Sequence, residues 1–584
     1  MVGAPPWWSL DNGLSHHGAV TSSPSSAPST PRQVADAYVY ALAELDPTVS
    51  TSLGLREHDD RMPDFSVAGH QARADLALRT LGDLEDLEEP DGGWEEADRR
   101  CEALLRDRLG SLVETHEGKE HLREIRNIFG PPQQARQLFS LMPTETEDDW
   151  SCVARRMSRI PESFESYVDS LEAGRAEDLL AAPLQAQTVA DQLTQWVESG
   201  WFDEFVAPGV SAHPELADDL HQAAAAATEG TSTLRDYLAQ TYRPAADGTP
   251  DAVGPERYRL NARRWMGATP DLEEVYAWGW QEFTDLRAQM EELAEEILPG
   301  SSPVEAMRHL DEHGEAVEGV DRIQARLQQM MDEAIADLDG EHFDIAEPLR
   351  TVRARIAPSG SAAAPYYSLP SLDFSRPGQT WLPTLGQTRF PLYDLVSTWY
   401  HEGVPGHHLQ LAQWVLLAPQ LSIYQTSIGS SSGVTEGWAL YAERLMDELG
   451  YLNTEARLGY LDCQIMRAIR VVIDIGMHLR LPIPDDSDVG PGQPWTPALA
   501  QEFFAAHCGR PGDFIASEIV RYLGWPGQAI SYKLGERAWL AGRDAARRAA
   551  ADRGEEFDLK AWHMAALSLG ALGLDDLEQE LARL

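Results

Sequence analysis

Apolar residues recur at helical spacing through most of the first 356 positions. Val34 to Leu45, Glu95 to Val113, Ala154 to Leu171, Leu179 to Trp196 and Pro214 to Thr241 each carry the i, i+3, i+4 rhythm of a helix with one buried face. Pro90-Asp91-Gly92-Gly93, Pro131-Pro132 and Pro208-Gly209 punctuate them as breaks. Leu272 to Leu298 and Val304 to Leu338 then alternate apolar seams with acid-rich faces, as the arms of antiparallel hairpins do. No repeat period of ~30 to 40 residues is visible, which argues against a solenoid.

The texture changes at Pro365 to Pro370 and at Gly378 to Pro383. These short aromatic runs, bounded by Pro and Gly, predict strands of a small hairpin or sheet. Such an edge can hold an extended peptide through backbone hydrogen bonds, or can be purely structural. Helical spacing then resumes through Pro391 to Leu416, Gly433 to Leu445, Leu458 to Leu481 and Glu518 to Tyr532, with a turn at Pro526-Gly527 and a closing helical pair after Lys560. The pattern predicts an all-α protein with a small sheet just before one central helix.

Length and charge narrow this. A chain of 584 residues is too long for one small core and suggests one large or two-lobed domain. We divide it into an N-terminal arm, 1–32, rich in Ser and Pro, and a single large domain, 33–584. Within that domain, 33–356 reads mainly as scaffold and 357–584 as the lobe carrying the chemistry. Trp7-Trp8 and the His16-His17 pair fall in the arm, which lacks the basic start and apolar stretch of a secretory signal. A formal net charge of -47 repels nucleic acid and anionic membranes, which excludes both as partners. No run reaches ~18 apolar residues, so no membrane span is expected. Cys101, Cys152, Cys463 and Cys508 are too scattered for a zinc ribbon or a disulfide framework, and a reducing cytoplasm fits them.

One passage resists a folding explanation. Trp399 to Gln410 reads WYHEGVPGHHLQ, and His401-Glu402 begins like H-E-x-x-H, in which two imidazoles bind zinc and the glutamate acts as general base. Position 405, where the second histidine belongs, is Pro405, and the next histidines are His407 and His408. In an unbroken helix His407 would lie ~120° round and ~9 Å along from His401, and His408 ~10.5 Å along, too far to share an ion. Pro405-Gly406 therefore predicts a local break that brings a later imidazole back. His407 is the favoured second ligand, with His408 as the alternative. A solvated histidine pair at a helix end is the plainer reading, but the flanking residues are apolar and buried imidazoles need a partner.

A third ligand is expected from Glu436, in the apolar helix Gly433 to Leu445. Glu443, seven residues further and on the same side, fits as an acceptor for a ligand imidazole. Asp474 and His478 are four apart and form a carboxylate–imidazole pair that supports the site or simply the fold. Arg467 and Arg470 either receive an anionic group or neutralise nearby acids.

HEGVPGHHLQ, VTEGWALYAERL, RAIRVVIDIGMH and RYLGWPGQAISYKLGE, in that order, resemble the bacterial family catalogued as domain of unknown function 885. That family in turn resembles the helical zinc carboxypeptidases of the Taq type and, more loosely, other gluzincin peptidases. The resemblance covers His401 to Glu536 and departs from the peptidase motif at Pro405. It implies a zincin-like fold with a deep active-site cleft and one zinc ion. It also implies a tyrosine or histidine late in the chain as donor to the developing oxyanion, for which Tyr532 and Tyr522 are the candidates. Arg521, Trp381 and Gln528 are the expected substrate-binding residues.

The expectation is thus a zinc metallopeptidase, a carboxypeptidase or oligopeptidase, acting on short peptides. His401, His407 and Glu436 hold the metal and Glu402 takes a proton from water. A homodimer is allowed. A zinc amidase or esterase, and a non-catalytic helical binding protein with a degenerate metal site, stay open beside it.

Overall fold

The computed structural model describes residues 28–357, 364–371 and 373–584, which are predominantly helical with five short strands. The expected arm, with Trp7, Trp8 and the histidine pair, lies almost wholly outside the described residues. The first helix, Pro31–Leu45, starts inside the expected arm because Thr30 caps it, its hydroxyl accepting from the amide of Gln33.

The described residues fall into two compact units, 28–93 with 109–251, and 94–108 with 252–584. The first is a helical unit whose core gathers Val153, Phe164, Tyr167, Leu193, Phe202 and Leu234. Prolines act here differently from the sequence expectation. Pro131 and Pro161 each open a helix, Pro131–Leu141 and Ile160–Ala176, because an amide is dispensable in the first turn. Ala154 to Leu171, expected as one helix, is therefore two. Pro208, expected as a break, lies inside Trp201–Ala212, on an exposed face where solvent can reach the carbonyl that loses its donor.

The second unit carries the candidate site, together with residues 252–356, which the sequence reading grouped with the scaffold. Its long helix α1 (Leu272–Ile297) packs against a later one through Gly279, where a Cβ would come within 2.8 Å of Val471. The expected single arm Val304 to Leu338 is instead two helices, Pro303–His313 and Val320–Leu338, split at Gly319, whose φ of 96° suits only glycine. Between them β1 (Ala316–Glu318) pairs antiparallel with a late strand, Arg389–Pro391. A second sheet is built from β2 (Val352–Ile356), β3 (Tyr366–Ser368) and β4 (Gly378–Leu382), in the order β2-β4-β3. The β3–β4 pair is the expected hairpin, antiparallel with Tyr367 opposite Thr380. β2, read as the end of a helical region, joins β4 in parallel, and its alternation of buried and exposed residues gives the period that a helix scan overlooks.

The helices that follow include α2 (Leu392–Glu402), α3 (His407–Leu416), α4 (Ser432–Glu448), α5 (Thr454–Leu479), α6 (Gly512–Gly524) and α7 (Ser531–Arg553). α4 and α7 approach closely because both carry glycine at the crossing. A Cβ on Gly437 would lie 2.5 Å from Gly535, and one on Gly535 would lie 2.0 Å from the carbonyl of Gly433. Contact at that range sets Glu436, on α4, beside the start of α7. α5 runs through the middle of the unit, with almost every side chain from Leu458 to His478 buried.

Candidate metal centre

The helix that starts at Leu392 stops at Glu402 and a new one begins at His407. Four residues, Gly403 to Gly406, form the break, and the Val404–Pro405 peptide is cis. Gly406 is required by space: a Cβ there would sit 2.0 Å from the carbonyl oxygen of His401 and 2.4 Å from that of Tyr400. The indole Nε1 of Trp438 donates to the carbonyls of Pro405, at 2.9 Å, and Gly406, at 3.1 Å, the latter also accepting from the amide of Gln410 at 3.2 Å. Two residues before that tryptophan is Glu436.

His401, His407 and Glu436 converge. Nε2 of His401 is 3.4 Å, and Nε2 of His407 3.7 Å, from Oε2 of Glu436. All three side chains are buried, and their ligand atoms lie within 4.8 Å of one another. Atoms ~2.0–2.2 Å from a tetrahedral zinc stand about 3.3–3.5 Å apart, so this spacing suits one ion. His407 supplies a second argument. It is fully buried, yet neither ring nitrogen has a hydrogen-bond partner among the described residues. An imidazole left so is costly, and a metal on Nε2 relieves it. Two imidazole nitrogens and one carboxylate are a donor set that zinc accepts.

The surroundings orient this set. Nδ1 of His401 lies 2.8 Å from Oε1 of Glu443, and the same oxygen is 3.1 Å from Nη2 of Arg467. The Ser397 hydroxyl donates to the other oxygen of Glu443 at 2.6 Å. Burial would raise Glu443, but Arg467, His401 and Ser397 hold its carboxyl below the usual range. Glu402 stands in the opposite condition. It is buried, its Oε2 has no partner, and burial together with the Glu436 and Glu443 charges pushes it up to about 8, against the opposing pull of His401 and Arg467.

His408, the alternative ligand, points elsewhere. Its Nε2 lies 2.8 Å from the carbonyl of Leu349 and its Nδ1 2.9 Å from the hydroxyl of Tyr367 on β3. Nε2 must donate to a carbonyl, so Nδ1 accepts from tyrosine, and both nitrogens are committed. His408 therefore ties α3 to the sheet, which sits hard against it: a Cβ on Gly378 would be 2.5 Å from Nδ1.

The two expected tyrosines also part company. Tyr522 is fully buried. Its hydroxyl donates to Glu518 at 2.6 Å and accepts from Nε of Arg470 at 3.1 Å, which corrects its assignment as an oxyanion donor. Tyr532 is half-buried, with the Arg470 guanidinium 4.9 Å from its ring centroid. Burial and the Glu436 charge raise its pKa while Arg521 and Arg470 oppose the shift, so it feels both the candidate ligand and those arginines.

Arg521 reaches Glu518 at 3.1 Å and Gln528 at 2.6 Å, and Gln528 in turn donates to Ser432 at 3.2 Å. Trp381 stays with the sheet, its indole on the Ser368 hydroxyl at 2.9 Å and its ring stacked on Tyr366. Asp474 and His478 lie apart from the three ligands. Asp474 accepts from Tyr258 at 2.7 Å and from the amide of Gly527 at 2.9 Å, whereas His478 bonds the carbonyl of Tyr522 at 3.0 Å and the amide of Val253 at 3.2 Å. They fasten the Pro526-Gly527 turn and the start of the preceding segment to α5. Ser397 and Trp438 were missed by sequence reasoning. Ser397 is four residues before His401, a spacing that already puts both on one helix face.

No curated protein matches this chain. Among solved structures, a protein of Colwellia psychrerythraea described as a candidate lipoprotein matches with TM-score 0.79 and 21% identity, over 95% of this chain and 99% of that one. A Shewanella oneidensis protein, described as a candidate lipoprotein of unknown function, matches with TM-score 0.72 and 17% identity, over 95% and 100%. At these identities the likeness shows the fold alone. A Pyrococcus furiosus carboxypeptidase overlays with TM-score 0.39 and 13% identity, over 95% of this chain and 92% of that one, too low to carry an argument. No described helix is long and apolar enough to cross a membrane. The family model described as bacterial protein of unknown function (DUF885) matches residues 47–581, and the chain belongs to that family.

Proposed function

We infer that this protein is a metal-dependent hydrolase, with zinc as the metal and short peptides as substrates. The observation that carries the reading is His407: buried, unpartnered at both nitrogens, and aimed with His401 at one carboxylate oxygen of Glu436. A zinc ion held by these three side chains would act as a Lewis acid toward water and a substrate carbonyl.

The chain's own groups supply the rest. Glu402, next to a ligand and with a free buried oxygen, takes a proton from water and returns it to the leaving amine. Glu443 fixes the tautomer of His401, since a carboxylate at Nδ1 leaves Nε2 bare for a metal. Tyr532, half-buried beside Glu436, is the hydroxyl donor for charge developing on the substrate oxygen. The four cysteines, none in a disulfide among the described residues, favour a reducing cytoplasm, while both structural relatives are described as candidate lipoproteins; fractionation of cells decides between the two.

The test is metal analysis with a peptide library. Purified protein is expected to hold one zinc, and the Glu402→Gln variant is expected to keep it while losing about 100- to 10,000-fold in turnover. Full peptidase activity in Glu402→Gln, or no metal in His401-intact protein supplied with zinc, sinks the reading.

A further inference from the structure

We propose that the site recognises the α-carboxylate at the C-terminal end of its peptide, gripped by Arg467 and Arg521 beside Tyr532, and so removes short C-terminal fragments. This rests on the hydrolase reading above and adds the end of the substrate that is held.

α5 and α6 bring three arginines inside the protein, Arg467, Arg470 and Arg521, exposed by only 7%, 4% and 4%. Buried guanidiniums call for carboxylates on their donors. Two carboxylates pair with them. Glu518 takes Nε and Nη2 of Arg470, at 3.1 and 2.8 Å, and Nη1 of Arg521, at 3.1 Å. Glu443 takes Nη2 of Arg467 but is shared with His401 and Ser397. Glu402 is the other acid near Arg467, and among the described residues no ion pair joins them.

Three of their guanidinium nitrogens are buried without a hydrogen-bond partner among the described residues: Nε and Nη1 of Arg467 and Nε of Arg521. A buried donor left unpaired is costly, a penalty that an incoming anion removes. The geometry of the missing group follows from the donors. On Arg467 the Nη2 of both forks is held by Glu443, so Nε and Nη1 face separate edges of the guanidinium, and each offers one charge-assisted bond to an anionic oxygen.

The position points to a peptide terminus. The Arg467 guanidinium and the His401 ring meet at a single oxygen of Glu443, so the anion subsite adjoins the candidate ligands. Tyr532 is close by, with the Arg470 guanidinium 4.9 Å from its ring centroid. A carboxylate bound there would be next to the candidate ligands, which places the bond to be cut close to the C-terminus of the peptide.

The test compares N-acetyl-trialanine with its C-terminal amide, which differ only in the charge of the end group. By calorimetry on chelator-treated wild-type protein, which cannot turn over, the free acid is expected to bind at least tenfold tighter. In Arg467→Gln the preference should fall to near unity through loss of acid binding, with the amide unchanged. Should that variant fail to fold, the wild-type ratio decides alone. Equal binding of acid and amide overturns the proposal. Tighter acid binding without hydrolysis by zinc-loaded protein would leave the subsite standing and remove the hydrolase reading. Hydrolysis of both peptides at equal rates would do the reverse.

Discussion

Nδ1 of His401 and Oε1 of Glu443 are 2.8 Å apart inside the core, on helices 42 residues apart in sequence. That one contact turns the His401 ring so that its other nitrogen faces Glu436. It also binds the candidate ligand to Arg467 and Ser397 through a single carboxylate. The charge on that carboxylate matters as much as its shape, because an arginine depends on it.

Replacing Glu443 by Gln keeps the volume and removes the charge. Metal affinity is expected to fall about 10- to 100-fold, as for other partners of ligating imidazoles. Stability should fall by about 3 kcal/mol or more as Arg467 loses its counter-ion. Zinc titration against a competing chelator, with urea unfolding alongside, measures both. Unchanged affinity would mean that His401 is oriented by packing alone.

Gly406→Ala tests the break. The new methyl would meet two backbone carbonyls that have no room to retreat. A loss of at least about 3 kcal/mol in unfolding free energy is expected, with zinc binding abolished. A variant that melts like the parent and still holds zinc would show that the turn relaxes easily.

Trp438→Phe keeps a ring in the core and deletes one donor. The Pro405 carbonyl then loses its bond to the indole, at about 1–3 kcal/mol. Zinc should bind more weakly as His407 gains freedom. Thermal unfolding with and without zinc separates the two effects, and a purely apo-state loss would detach the tryptophan from the metal site.

Acid should weaken the fold through His563. Its Nε2 lies 2.7 Å from the hydroxyl of Tyr441, and burial, with Arg543 adding to it, holds the imidazole down to about 3. The folded pKa lies below the unfolded value of about 6.5, so the contribution is complete above that pH and is lost as pH falls toward 3. Asp474 acts in the other sense: burial raises it to about 7, so its contribution is present below ~4 and lost as pH climbs through 7. Urea unfolding of wild type and His563→Gln between pH 7 and 4.5 isolates the histidine. The gap between the two proteins should narrow in acid, and a constant gap would count against the shift.

Much of the site could be read from local spacing. The break after His401-Glu402 follows from placing Pro405-Gly406 inside an apolar helix, and Glu436 stood out as an acid in apolar company. What could not be read was which way each side chain turns once long-range partners arrive. His408 is claimed by Leu349 and Tyr367, dozens of residues upstream, and nothing near His408 announces them. Asp474 and His478 pair as their spacing suggests, but serve Gly527, Tyr258 and Val253 rather than the ligands. The commitment of Tyr522 to Glu518 is legible in the sequence, since Glu518 precedes it by four residues on the same face of one helix. The helices were clearer than their limits, since prolines that seemed to end them begin them instead.

Glu436 and the indole that clasps the Pro405-Gly406 turn are separated by one residue on α4. A shift of that helix therefore carries the carboxylate and the neighbourhood of His407 together, as a rigid cassette. Tolerance accumulated elsewhere in so large a chain need not reach the coordination geometry. Mutational drift in the outlying helices can be broad while this small module keeps its dimensions, and transplanting it would mean moving α2 to α4 as one piece.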